Sequence, residues 1–316
     1  MLLVTGGTGF IGRSVLRHLS ESGVPVRTLL RPSHRSPKLP RGVATEVALA
    51  ALSDRRGLRA ALVGVEAVIH LAGAERHGSP AELETTDVEG TRNLVEAAAD
   101  AGVRRLIYVS HLGAARSSAY PLMRAKALAE ESIRQSRVPH TILRSAVVFG
   151  PGDAFTTWLA MFLAAVPFVF PLPGDGSTAL QPIWVEDLAT AIAWVLEDPA
   201  RPSETHEIGG PEYLTFLDVA RMVMKATGHQ RTTLPVPPPY LRAAARLLRS
   251  LLPAPPISPL WFDYLAVSRT TELGALPRFL GLQPARMETR LDYLRGQRWG
   301  RELVARQFRA QNRPAG

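Results

Sequence analysis

Short apolar runs at Leu2–Val4, Val26–Leu30, Ala67–Leu71, Leu106–Val109 and Thr141–Val148 alternate with stretches in which apolar residues recur every three or four positions. Runs of this length suit strands buried on both faces, and their alternation with helical segments predicts a parallel sheet covered by helices on each side. The first helical segment places Val15, Leu16 and Leu19 on one face and stops at Gly23. The expected class is therefore α/β, a doubly wound parallel sheet with a smaller C-terminal lobe. No internal repeat is evident. From about residue 151 the texture changes: Pro and Gly punctuate the chain, and 234–239 and 253–259 read as linkers or turns.

The first strand runs into glycines at Gly6, Gly9 and Gly12 before the first helix. That order of strand, glycines and helix suits a dinucleotide. A pyrophosphate sits almost on the backbone at a helix N-terminus, where free N–H groups and the positive dipole end meet it and a Cβ would block it. Gly6 and Gly9 permit the approach, Gly12 lets the helix pack on the strand, and Thr8, Phe10 and Ile11 complete the turn.

The stretch Thr5-Gly-Gly-Thr-Gly-Phe-Ile-Gly12, with spacing Gly-x-x-Gly-x-x-Gly, resembles the extended and atypical short-chain dehydrogenase/reductase superfamily. His70-Leu-Ala-Gly73, Asp87-Val-Glu-Gly-Thr-Arg-Asn-Leu-Val-Glu-Ala-Ala98, Leu106–Ser110, Lys126–Glu130, Thr141–Ser145, Phe149–Asp153, Gln181–Asp187 and Glu207–Gly210 follow in the family's order. The resemblance covers roughly residues 1–228 and is closest to the branch that includes the nucleotide-binding accessory subunit of respiratory complex I. It implies a Rossmann domain over 1–150 with contributions from about 178–210, and a smaller substrate or lid lobe from 151–177 and 211–316. It also implies that Leu71, Ala72 and Gly73 pass beside the adenine ribose and that Ser110 and Lys126 reach the cofactor.

Cofactor choice turns on the residue closing the second strand. An acid there would hold the ribose hydroxyls of NAD and repel a 2′-phosphate. This chain has Arg31, with Arg35 behind it and no acid until Glu46. Arginine presents a planar fork to a phosphate, which favours NADP(H); if Arg31 only stacks on adenine, NAD(H) is also possible. Ala51 stands where the family commonly keeps an acid for the adenine amine.

The chemistry departs from the family. Active members use a tyrosine whose pKa is lowered by a lysine four residues later, and four helical residues turn about 400°, so the pair share a face. Lys126 fits the lysine position, but Leu122 stands four residues before it. Tyr120 lies six residues before, about 120° off that face unless the helix starts irregularly near Pro121. Where the catalytic serine is expected, His111 and Leu112 follow Ser110. His111 could act as the acid or serve only as a hydrogen-bonding side chain. Arginine has replaced lysine nearly everywhere, leaving only Lys38, Lys126 and Lys225. That fits a compact ammonium held at 126 to reach between ribose hydroxyls. Asp153, Asp175, Glu186 and Asp187 read as turns and caps, and no metal site is expected. Two function classes remain: a structural or cofactor-holding protein, and an oxidoreductase or epimerase using a non-standard acid on a small, partly apolar substrate.

The remaining features bear on partners. Trp158–Leu172 is apolar but broken by Pro167 and Pro171, and is too short for the roughly 20 residues a bilayer requires. It reads as a lid or cleft wall. Tyr240–Leu252 sets Arg242, Arg246 and Arg249 on one helical face, which suits a surface helix covering the lobe or one lying on an anionic membrane. The net charge of +9 is concentrated near the end, at Arg290, Arg295, Arg298, Arg301, Arg306, Arg309 and Arg313. This suggests a solvated basic tail, or one that meets lipid headgroups or an acidic protein; no nucleic-acid module accompanies it. With no cysteine, disulfides and thiolate chemistry are excluded. With the first strand at residue 2, no leader is expected, and the protein is expected to be cytoplasmic, peripheral at a membrane at most.

Overall fold

The computed structural model describes residues 1–33, 39–74, 79–198, 201–252, 262 and 264–311. The chain begins β1 (Leu2–Thr5), α1 (Phe10–Glu21), β2 (Val26–Leu30), β3 (Glu46–Leu49), α2 (Arg55–Ala61), β4 (Ala67–His70) and α3 (Pro80–Glu82). A π-helical stretch, Leu83–Glu89, leads into α4 (Gly90–Asp100), β5 (Arg105–His111), α5 (Pro121–Arg134) and β6 (His140–Ser145). Then come β7 (Val148–Phe149), α6 (Thr156–Ala165), β8 (Val169–Pro173), β9 (Ala179–Leu180), β10 (Ile183–Trp184), α7 (Val185–Glu197) and β11 (Glu204–Ile208). The last elements are β12 (Leu214–Thr215), α8 (Phe216–Thr227), β13 (Thr232–Val236), α9 (Pro238–Leu251), α10 (Ala275–Leu280) and α11 (Trp299–Gln311).

Two compact units result. The first comprises Met1–Ser145, Val185–Ile208 and Gly274–Gln283. Its seven strands lie in the order β11-β6-β5-β4-β1-β2-β3, all parallel. The chain builds outward from β1 to β2 and β3, then returns to β1's other side to lay down β4, β5 and β6. That reversal makes a crevice at the carboxyl ends of β1 and β4, where open α/β sheets bind ligands. Leu3, Val68, Ile69, Leu106, Ile107 and Ile142 are fully buried along the central strands, as two-sided coverage demands. The edge strand β3 is different, with Val47 and Leu49 exposed. Its apolar run, Val47–Leu52, is half alanine, a poor strand former, and does not stand among the strand-like runs of the sequence. At the other edge, Phe279 of α10 stacks on His206 of β11 with ring centroids 3.5 Å apart.

The second unit comprises Ala146–Trp184, Gly209–Leu273 and Pro284–Gly316. Its core gathers Phe149, Leu159, Ala160, Met161, Leu163, Phe170 and Val223. The segment expected to be a lid or cleft wall supplies much of this core: α6 is apolar all round and largely buried, and β8 pairs in parallel with β13. α8 starts at a capping box between Thr215 and Asp218 and ends at Gly228 in the left-handed conformation. The basic end is not a solvated tail. Met287, Leu291, Leu294 and Trp299 are buried, Glu302 pairs with Arg306 and Arg309, and Arg306 lies 5.0 Å from the Trp158 ring centroid. Apolar anchors between the arginines hold the segment down; Arg313 lies outside the described residues. Among the described residues no helix is long and apolar enough to cross a membrane.

Candidate functional site

β1 delivers the chain to a turn in which Gly6 adopts φ +72° and Gly9 donates its N–H to the Gly6 carbonyl at 2.9 Å. The three glycines have separate reasons. A Cβ at Gly6 would lie 2.6 Å from the Leu71 carbonyl carbon, and one at Gly12 only 2.2 Å from the Gly6 oxygen. Both are demanded by packing. At Gly9 the nearest atom would be 3.0 Å away, so the backbone itself nearly tolerates a side chain there. Gly9 is also the N-cap of α1, and no side chain caps that helix. The first-turn N–H groups of α1 are thus left to an anion, and a pyrophosphate fits this cradle.

Thr8, Phe10 and Ile11 are half-buried around the turn. Arg13, which sequence reasoning passed over, donates Nη1 to the Thr8 carbonyl at 3.2 Å. Its pKa is lowered by burial and by Arg17, whose own charge is met by Glu186 on α7 at 2.7 Å. A cation in the first turn opposes the helix dipole, and α1 has no acid there, so the turn is electropositive. Arg31 follows β2 directly and is exposed. Because Thr5 registers with Leu29, Arg31 emerges at the same sheet edge as the glycine turn. Arg35 lies outside the described residues.

The loop after β4 is fixed by a buried relay. Thr5 Oγ1 lies 2.6 Å from His70 Nδ1, and His70 Nε2 lies 2.9 Å from Thr91 Oγ1. Thr5 Oγ1 also accepts the Leu71 and Ala72 N–H groups at 3.3 Å, so its own proton is directed to Nδ1. His70 therefore carries its proton on Nε2 and donates to Thr91. Burial, followed by the charge of Lys126, pushes the imidazole pKa down to about 3, so it is neutral at ordinary pH.

Lys126 lies on α5, inside the fold, with its ammonium 3.1 Å from Asp87 Oδ1; the two side chains are 3% and 0% exposed. Asp87 Oδ2 accepts the Ala74 N–H at 2.8 Å, while among the described residues Oδ1 receives no aligned hydrogen bond. The Lys126 contact is one of charge. Gly73 passes directly over this pair, since a Cβ there would come within 2.9 Å of Asp87 Oδ1 and 3.2 Å of Nζ. Leu71, Ala72, Gly73, Asp87 and Lys126 are thus brought together, and Lys126 also lies 5.5 Å over the Tyr108 ring.

The other predicted residues are placed differently. Ser110 is buried and donates to Glu130 Oε1 at 2.6 Å, in a network that Arg134 and Arg144 close. Burial would raise the Glu130 pKa, but these hydrogen bonds and charges together hold it below the ordinary value. His111 closes β5, half-buried. Leu122 is buried on the helical face that Lys126 occupies. Tyr120 is not in the helix at all: it is the extended N-cap residue of α5, at φ −93° and ψ 120°. Helical rotation therefore does not fix its direction, since the helix begins only at Pro121. Asp153 accepts from Gly150, Phe155, Thr156 and Thr157 as a turn and cap, Asp175 holds Ser177, and Glu186 bridges Ser14 and Arg17. Among the described residues no group of acids and histidines could hold a metal.

Asp87 was the main omission. Its signal was an acid at the core position of a helix, in register with Thr91, Leu94 and Ala98, all buried.

A glycine cradle at an uncapped helix, a switch point between β1 and β4, and a buried lysine facing the β4 loop define a nucleotide-binding protein of the Rossmann class. Residues 6–152 match the family described as NAD(P)H-binding. The chain is 31% identical over 277 residues to sterol demethylase protein B of Methylococcus capsulatus, covering 78% of this chain and 80% of that protein. It is 30% identical over 248 residues to NADH dehydrogenase (ubiquinone) 1 alpha subcomplex subunit 9, mitochondrial, of Arabidopsis thaliana, covering 77% of this chain. It spans only 61% of that relative's length. Among solved structures, gox2253 matches with TM-score 0.72 at 26% identity, over 100% of this chain and 99% of that one. The chain belongs to the NAD(P)H-binding short-chain dehydrogenase/reductase superfamily, in its atypical part near the complex I subunit branch.

Proposed function

We propose that the protein binds NADP(H) in preference to NAD(H) and holds it without the family's usual carbonyl reduction. The observation that carries this reading is the buried Lys126–Asp87 pair with Leu122 on the same helical face. When bound, a nicotinamide dinucleotide supplies a hydride, and reduction of a carbonyl then needs a proton donor beside it. An ammonium lowers a neighbouring hydroxyl's pKa through its field. The Asp87 carboxylate, 3.1 Å from the ammonium, opposes the field of Lys126. What survives is positioning: a fixed ammonium under the Gly73 loop, suited to ribose hydroxyls. Arg31, at the edge that carries the glycine turn, is suited to a 2′-phosphate.

The relatives fit either function class. The Arabidopsis relative is named as a subunit of NADH dehydrogenase, which is the form a holding role takes, whereas sterol demethylase protein B bears an enzyme's name. Tyr120 favours the second reading, an oxidoreductase, because its place outside the helix leaves its direction open. The deciding experiment is calorimetric titration with NADPH and NADH, followed by NADPH consumption with a panel of aldehydes and ketones. Tighter NADPH binding without turnover supports the holding role. Turnover that disappears in Tyr120→Phe replaces it with the oxidoreductase.

A further inference from the structure

A cation in the first turn of a helix stands against the dipole, and an acid beside it would offset the conflict. Arg13 has no such acid. The first turn of α1 carries none, and among the described residues no carboxylate pairs with Arg13, whereas Arg17 has Glu186 at 2.7 Å. The charge that does act on Arg13 is Arg17, four residues on and of the same sign, and together with burial it lowers the Arg13 pKa.

Despite this conflict the guanidinium is held in place. It is half-buried, and its Nη1 donates to the Thr8 carbonyl at 3.2 Å, the one hydrogen bond of its side chain among the described residues. Thr8 immediately precedes Gly9, the N-cap of a helix that no side chain caps. Two sets of unfilled donors therefore lie beside one turn: the backbone N–H groups that open α1 and the remaining N–H groups of the guanidinium. A tether for the Thr8 carbonyl would need no charge. One phosphate suffices for the backbone donors, while a diphosphate reaches both sets and removes the conflict between Arg13, Arg17 and the dipole.

We propose that Arg13 is a ligand of the diphosphate of a bound dinucleotide, and so reads the part that NADPH and NADH share. This rests on the dinucleotide reading above and divides recognition between two arginines, Arg31 at the 2′-phosphate and Arg13 at the diphosphate. Arg13 then disfavours the free protein and favours the bound one.

The test is calorimetric titration of the full chain, of Arg13→Met and of Arg13→Lys with NADPH and NADH, beside thermal unfolding of each without nucleotide. Arg13→Met should weaken both nucleotides by the same factor, roughly ten-fold or more for one lost charge-assisted hydrogen bond, and leave the ratio of the two affinities at its parental value. Arg13→Lys keeps the charge without the fork and should recover part of the loss. The midpoint of nucleotide-free Arg13→Met should stand at or above that of the parent, because a cation leaves the positive end of a helix and the side of Arg17. A lowered midpoint assigns Arg13 to the fold of the turn and overturns the proposal. Weakening confined to NADPH also overturns it and moves Arg13 to the 2′-phosphate. A parent that binds neither nucleotide overturns the dinucleotide reading and this proposal with it; a parent that binds both, with Arg13→Met binding as tightly, overturns the assignment of Arg13 alone.

Discussion

Replacing Lys126 by Met separates the two roles assigned to its ammonium. Asp87 is fully buried, and removing the cation beside it leaves a buried carboxylate without that partner. Breaking such a buried pair destabilises by about 3–5 kcal/mol. At about 2–4 °C per kcal/mol for a unit of this size, the transition should fall by roughly 6–20 °C. The double variant Lys126→Met/Asp87→Asn removes both charges and should regain most of that loss. Cofactor binding should not recover with it: one charge-assisted hydrogen bond to the ribose is worth about 1.5–3 kcal/mol, or roughly ten- to a hundred-fold in Kd. Thermal unfolding and calorimetric titration of the three proteins form the assay. A single variant as stable as the parent would refute the ion pair as a structural element. A double variant binding NADPH at parental affinity would refute the ribose contact.

Three further outcomes follow from the same geometry. Gly9→Val should leave a cooperative thermal transition while abolishing dinucleotide binding, because its Cβ meets only one atom at 3.0 Å; Gly12→Ala, meeting backbone at 2.2 Å, should lower stability itself. If both variants melt alike, the division of roles among the glycines is wrong. Arg31→Ala should weaken NADPH at least ten-fold and leave NADH unchanged; equal losses, or a parent indifferent to the 2′-phosphate, would contradict it. His70 is held near pKa 3 against an ordinary 6.5, so the unfolded chain takes up the proton first as pH falls. Its contribution is therefore complete above pH 6.5 and is lost toward pH 3 at about 1.4 kcal/mol per unit. Denaturation midpoints of His70→Gln should show a shallower loss between pH 6.5 and 4 than the parent; parallel slopes would refute the assignment.

The sequence made most of the first unit legible because buried parallel strands are apolar runs and the glycine turn follows its strand directly. It was weak at β3, whose apolar run Val47–Leu52 is half alanine, and silent where a long return decides membership, as for Gly274–Gln283, which the Phe279 ring ties to His206 and Arg201. The basic end misled because counting arginines hides the spacing of Leu291, Leu294 and Trp299 between them. At the site, Lys126 was visible by its rarity and its register. Asp87 was not, since its partner is distant in sequence, and the position of Tyr120 depended on where the helix began.

The two edges of the central sheet also differ in how they meet other chains. β11 is shielded by α10, but β3 ends the sheet with Val47 43% and Leu49 67% exposed. An open strand edge with apolar side chains is a template for adding strands, and natural sheets guard such edges with lysine or proline. Self-association on storage or heating should therefore begin at β3, on the side of the molecule that grows by one strand without unfolding. Leu49→Lys, remote in the sheet from β4 and the Lys126 pair, is the single change that should make concentrated solutions last longer.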